Sequence, residues 1–134
     1  MATPAISKNS NIAKVPAKLD IDFFYKWLSF LQPFHKLSNK EMEVLSAFLK
    51  KRHELVQLVR DENVLDNLLK SIDVRKEIRE SIGMNISQFN ILCTKLRKTG
   101  ALTENKINKR YIPNIEFDSK EYRLIIIFDL NDKN

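Results

Sequence analysis

Ser71-Ile72-Asp73-Val74-Arg75-Lys76-Glu77-Ile78-Arg79-Glu80-Ser81-Ile82-Gly83-Met84-Asn85-Ile86-Ser87-Gln88-Phe89-Asn90-Ile91-Leu92-Cys93-Thr94-Lys95-Leu96-Arg97-Lys98-Thr99-Gly100 is the stretch that decides the fold. Ile72, Val74, Ile78 and Ile82 recur at helical spacing with charged residues between them, which predicts a first helix. Gly83 stands where a helix exit needs a left-handed residue. Met84 and Asn85 make the turn, and the Asn85 side chain suits the N-cap of a second helix. That helix runs from Ile86 to Thr99 and stops at Gly100, the chain's only other glycine.

Beyond Gly100, Ala101-Leu102-Thr103 reads as a short strand and Glu104-Asn105-Lys106 as a turn. Lys106 to Ile112 alternates in the manner of a second strand, which Pro113-Asn114 breaks. Tyr122-Arg123-Leu124-Ile125-Ile126-Ile127-Phe128 is the strongest strand signal in the chain, dense in β-branched and aromatic residues.

Before Ser71, Ser38-Asn39-Lys40-Glu41 fits a capping box. Met42, Leu45, Phe48 and Leu49 line one face of the helix that follows, with Leu55 and Leu58 continuing it. The charged run Lys50 to Glu54 leaves room for a bend. Asn63 to Lys70 reads as a short helical connector. Phe23, Phe24, Trp27, Leu28 and Leu31 have the spacing of a helix packed on a core, read over residues 21–36 and closed off by Pro33. The same aromatic group, through Phe23, Trp27 and Phe30, could instead meet a protein partner. Residues 1–20 lack periodicity and read as a flexible basic tail before a single domain over residues 21–134.

The 134 residues carry a net charge of +6, and its distribution is uneven. Residues 73–112 hold nine basic and four acidic groups, a net of +5. Such a localised excess is what a polyanion-binding face looks like, because each phosphate contact releases condensed counterions. It also describes a solubilising surface. No uncharged apolar run approaches the ~20 residues of a membrane-spanning helix. The start of the chain lacks the apolar block of a secretory signal. A cytoplasmic location, or a particle assembled there, is therefore expected. One cysteine, Cys93, allows no internal disulfide and no cysteine-rich metal site, and His35 and His53 have no ligand-spaced partners. With two isolated glycines no phosphate loop can be built, and no nucleophile motif is present. The expectation is a protein that is not an enzyme and needs no cofactor or metal.

Asp73-Val74-Arg75-Lys76-Glu77-Ile78, then Ile82-Gly83-Met84, then Phe89-Asn90 and Leu96-Arg97-Lys98-Thr99-Gly100-Ala101-Leu102 resemble the winged helix-turn-helix superfamily. Leu37-Ser38-Asn39-Lys40-Glu41 with Val44-Leu45 looks like its first helix. The resemblance covers about residues 37–128 and rests on residue types. It implies an α+β fold, mainly helical, in which residues 37–130 form a winged helix-turn-helix with a small C-terminal antiparallel sheet. It also implies double-stranded DNA as partner, bound most naturally by a dimer. The whole chain resembles small proteins encoded by tailed phages, and its wealth of Lys, Asn and Ile fits an AT-rich coding genome.

At about 100° per residue, Phe89, Leu92 and Leu96 share one face of the second helix, flanked by Ile86 and Cys93. Ser87, Asn90, Thr94, Arg97 and Lys98 fall on the other, with Gln88 and Lys95 at its edge. Asn and Gln suit adenine edges, Arg and Lys suit guanine or phosphate, and Ser or Thr suit phosphate. Lys106, Lys109 and Arg110 add positive charge in the wing. Ile91 projects from the polar face, where it could touch a thymine methyl or a protein. Two classes of function stand open. One is a DNA-binding protein of transcription or replication. The other is a structural or adaptor protein of a phage virion, contacting copies of itself or other phage proteins.

Overall fold

The computed structural model describes residues 12–103, 106–116 and 118–131, together with the backbone of Ala5–Ile6. The described residues form a mainly helical protein with five helices and a small two-stranded antiparallel sheet near the C-terminus. The helices are α1 (Ile21–His35), α2 (Asn39–Val56), α3 (Glu62–Lys70), α4 (Ile72–Ser81) and α5 (Ile86–Thr99). A first ribbon, β1 (Ala5–Ile6) against β2 (Ala13–Lys14), lies in the span read as a tail, where the sequence suggested no element. The second ribbon pairs β3 (Leu102–Thr103) with β4 (Lys106–Ile107). The turn expected at Glu104-Asn105 lies outside the described residues.

Helix α2 is the axis of the molecule, packing against α1, α3, α4 and α5. Its capping box is complete: Glu41 N–H donates to Ser38 Oγ at 3.2 Å, and Ser38 N–H donates to Glu41 Oε1 at 3.0 Å. Because neighbours cover it on several sides, burial spreads beyond one stripe to Met42, Val44, Leu45, Ser46, Ala47, Phe48 and Leu49. Ser46, polar and fully buried, is satisfied by donating to the Met42 carbonyl. The charged run produces no break. Lys50 and Lys51 pair with Glu54 along the helix, and Lys51 also reaches Glu77 of α4. Such pairs at three- and four-residue spacing support a helix. Leu58 lies beyond the helix end and is exposed, so it does not extend the apolar stripe.

In α1, Pro33 sits inside the last turn and does not close the helix, which continues to His35 and ends at Lys36 in the left-handed conformation (φ 58°). The hydrogen bond a proline forfeits would run to the carbonyl of Ser29, an exposed residue, so water can satisfy it. Trp27 is buried, and its indole N–H donates to the Tyr111 carbonyl at 2.9 Å. His35 accepts the Leu37 N–H at Nδ1, so its Nε2 is the protonated nitrogen and donates to the Leu28 carbonyl.

The expected three-stranded sheet does not form. The strand anticipated over Lys106–Ile112 ends at Ile107, and Lys109–Tyr111 is a 3₁₀ turn. Asn108 redirects the chain: its side chain accepts from Arg110 N–H and donates to the Gly100 carbonyl, while its own N–H bonds to Ala101. Tyr122–Phe128 is not a strand. Ile126 is 53% exposed and lies outside the core. A strand needs an edge to pair with, and two-residue β3 and β4 offer almost none. Tyr122 alone packs inward, edge-on to Phe23 and Trp27.

His53 of α2 is half-buried beside the Phe24 ring, 5.7 Å between centroids. Burial pushes its pKa below the ordinary value and Arg52 adds to this, while Glu54 opposes. The neutral ring is thus favoured in the folded chain. Stability should be full above the ordinary histidine pKa of about 6.5 and should fall as pH drops through it toward the depressed value. Thermal melts from pH 8 to pH 5 should show this decline, and His53→Gln should flatten it. An equally steep decline in the variant would assign the effect elsewhere.

Candidate nucleic-acid interface

Local chemistry fixes both ends of the unit that carries the site. Ser71 caps α4 by accepting Val74 N–H. Gly83 takes φ +61° and bonds back to Glu80, and Met84 N–H reaches the Arg79 carbonyl. Arg79 then closes the turn by donating to the Met84 carbonyl at 3.0 Å. Asn85 Oδ1 accepts Gln88 N–H at 2.8 Å, starting α5, and Gly100 at φ +83° ends it. Ile78, Met84, Phe89, Leu92, Cys93 and Leu96 are buried in one core with Leu45, Phe48 and Leu49. The anchoring of α5 therefore leaves one side of it free.

Ser87, Gln88, Asn90, Ile91, Thr94, Lys95, Arg97 and Lys98 are all exposed. Ile86, expected to flank the core, is also exposed, because it sits at the helix start ahead of the packed turns. Helix α5 carries three basic side chains and no acidic one. Thr94 hydroxyl donates to the Asn90 carbonyl and accepts from Arg97, so it orients the guanidinium. By helical phase Ser87, Ile91, Thr94 and Lys98 form the centre of the free face, with Arg97 at the edge next to Cys93 and Lys95 at the other.

The hairpin turns Leu102 and Ile107 into the core and leaves Thr103 and Lys106 outside. Lys106 and Arg97 line the same crevice. Arg110 is exposed, with its guanidinium 5.7 Å from the Tyr111 ring centre. Lys109 departs from the expected grouping. Its Nζ lies 3.8 Å from Glu62 of α3, and it lines a groove along α2 with Arg52, His53 and Ile115.

Of the aromatic residues considered for a protein contact, Trp27 is buried and Phe23 packs on Phe24 and Tyr122, so both serve the core. Phe30 is 45% exposed, Phe34 70% and Ile91 57%.

Two basic residues escaped the sequence reading. Arg75 of α4 lies 5.7 Å from the Phe48 ring centre and 5.8 Å from that of Phe89, two rings stacked at 12°. Lys70, the last residue of α3, lines the same crevice. A signal existed for Arg75: it stands three and seven residues before Ile78 and Ile82, on the inward face of α4. Cys93 is fully buried; burial pushes its thiol pKa up, and the nearby Arg75 and Arg97 charges oppose that shift.

Among the described residues no cluster of His, Cys, Asp and Glu could hold a metal ion, and no helix is long and apolar enough to cross a membrane. Comparison with protein-family models, curated proteins and solved structures finds no match.

Proposed function

We propose that this chain is a non-enzymatic, double-stranded DNA-binding protein of the winged helix-turn-helix type, acting in transcription or replication and encoded by a phage. In this reading α4 and α5 are the helix-turn-helix, α5 enters the major groove, and the β3–β4 hairpin is a minimal wing. The observation that carries it is the free face of α5. Apart from Ile91, that face is polar and basic, lacks acidic side chains, and is held outward by a well-packed opposite face. Asn90 and Gln88 are available to base edges, and Lys95 and Lys98 to phosphates.

The test is a gel-shift series on random duplexes across salt concentration. Lys95→Ala with Lys98→Ala should weaken binding to all sequences and lower the slope of log K against log salt by about 1.8, near 0.9 for each phosphate contact. Asn90→Ala should relax sequence preference with little change in slope. Lys109→Ala should leave the slope unchanged, since Lys109 faces Glu62. Negligible duplex affinity at low salt would defeat this reading.

A structural or adaptor role in a virion is favoured by a different observation. Ile125, Ile126, Ile127, Phe128 and Leu130 are 53–91% exposed in one run outside the helices and strands. Exposed apolar runs of this length mark interaction sites. Under that reading Ile91→Asp should abolish assembly, and the basic residues of α5 would steer a protein partner as rim charges.

A further inference from the structure

We infer that Lys70, Arg75, Arg97 and Lys106 form a phosphate-binding crevice at the meeting of α3, α4, α5 and the hairpin, which seats one phosphate of a nucleic-acid backbone. The identity of the backbone rests on the DNA reading above; the crevice itself does not.

Four separate elements deliver these cations. Lys70 ends α3, Arg75 lies in the first turns of α4, Arg97 in the last turn of α5, and Lys106 begins β4. Together with Phe48, Leu69, Leu102, Thr103 and Ile107 they line one narrow crevice, and among the described residues no carboxylate lines it. Elsewhere among the described residues several cations are paired, while others, such as Lys95, Lys98 and Arg110, are not. Lys26, Lys40, Lys50, Lys51, Lys76 and Lys109 each have a carboxylate within 4 Å. Among the described residues none of the four crevice cations has one.

Like charges gathered over an apolar floor repel more strongly than the same charges in open water. A fold that gathers four cations over one apolar floor is suited to receive an anion. Arg75 supplies the directional element. The stacked rings of Phe48 and Phe89 hold its guanidinium in place, and a planar fork matches two phosphate oxygens. Arg97 is oriented by Thr94, which also lies on the free face of α5. The basic rim of the crevice continues through Arg97 toward that face. A duplex strand crossing α5 would thus place a phosphate here, fixing the angle at which the helix meets the groove.

Amide chemical shifts of the full chain, titrated with inorganic phosphate against chloride at constant ionic strength, test the site. Saturable shifts confined to Lys70, Arg75, Arg97 and Lys106 are expected. Shifts that grow linearly, or are as large at Lys14 and Lys40, would overturn it. Lys70→Gln with Lys106→Gln, both exposed and outside the core, should weaken phosphate binding at least tenfold, and Lys40→Gln should not. Arg75→Lys keeps the charge and should still weaken binding several-fold through loss of the fork.

In the duplex arm, Lys70→Gln with Lys106→Gln should lower the salt slope by about 0.9, the share of the one phosphate seated there. A full slope in that variant overturns backbone seating while leaving α5 as the DNA-binding helix. Saturable phosphate binding with no duplex affinity defeats the DNA reading and leaves a site for free phosphate.

Discussion

Phe89→Ala should lower the free energy of unfolding by about 3–5 kcal/mol, as truncation of a buried aromatic does. Phe89 is 2% exposed, stacks on Phe48 and supports the Arg75 guanidinium. Alanine removes the stack and leaves a cavity between α2, α4 and α5, the three helices that set the angle of the free face. Phe89→Leu would keep most of the burial but lose the ring face beneath Arg75, so it should cost less stability while still weakening phosphate binding. Urea denaturation of the three proteins, with matched m-values, separates the effects. A loss below about 1 kcal/mol for the alanine variant would show that the cavity collapses, or that Phe89 is not packed as described.

Leu96→Ala is expected to cost about 2–5 kcal/mol. Leu96 is fully buried in the core that includes Leu45, Leu92 and Leu102, so it joins α5 to both α2 and the hairpin. Its loss should therefore loosen β3 as well as α5. Amide exchange in the variant should quicken at Leu102 and Ile107 along with the α5 amides. An unchanged melting curve would place Leu96 outside the core and undo the division of α5 into a packed and a free face.

The helical part of the fold was legible because its boundaries are written in local chemistry. Ser38 with Glu41, Asn85, Gly83 and Gly100 each act within a few residues of themselves, and each takes the role expected of it. The exposed side of α5 followed from phase alone. Tyr122–Phe128 was misread for the opposite reason. Its composition favours a strand, but a strand exists only where a neighbour supplies hydrogen bonds, and composition says nothing about the neighbour. Pro33 misled likewise, since a proline one turn from a helix end forfeits little.

The candidate site divides in the same way. Residues on one helix, from Ser87 to Lys98, could be grouped by periodicity. Arg75 and Lys70 join them through the packing of α3 and α4 beside the hairpin; periodicity sets Arg75 on the inward face of α4 but does not name its neighbours. Lys109 was grouped with Lys106 by nearness in sequence, yet the 3₁₀ turn at Asn108 carries it to the other side, toward Glu62.

The bond from the indole of Trp27 to the Tyr111 carbonyl makes the chain its own optical gauge. Trp27 is the sole tryptophan, so its emission reports one place: the seam where α1 holds the turn that follows the hairpin. Tyr122 stands edge-on to the same ring at 5.3 Å, so the last segment that packs inward is read by the same fluorophore. A ligand that shifts the Asn108–Ile112 turn would admit water to the indole and move its emission to the red, whereas one that touches only the outer face of α5 would leave the colour unchanged. Without any label, the spectrum can thus tell movement of the Asn108–Ile112 turn from occupancy of the α5 face.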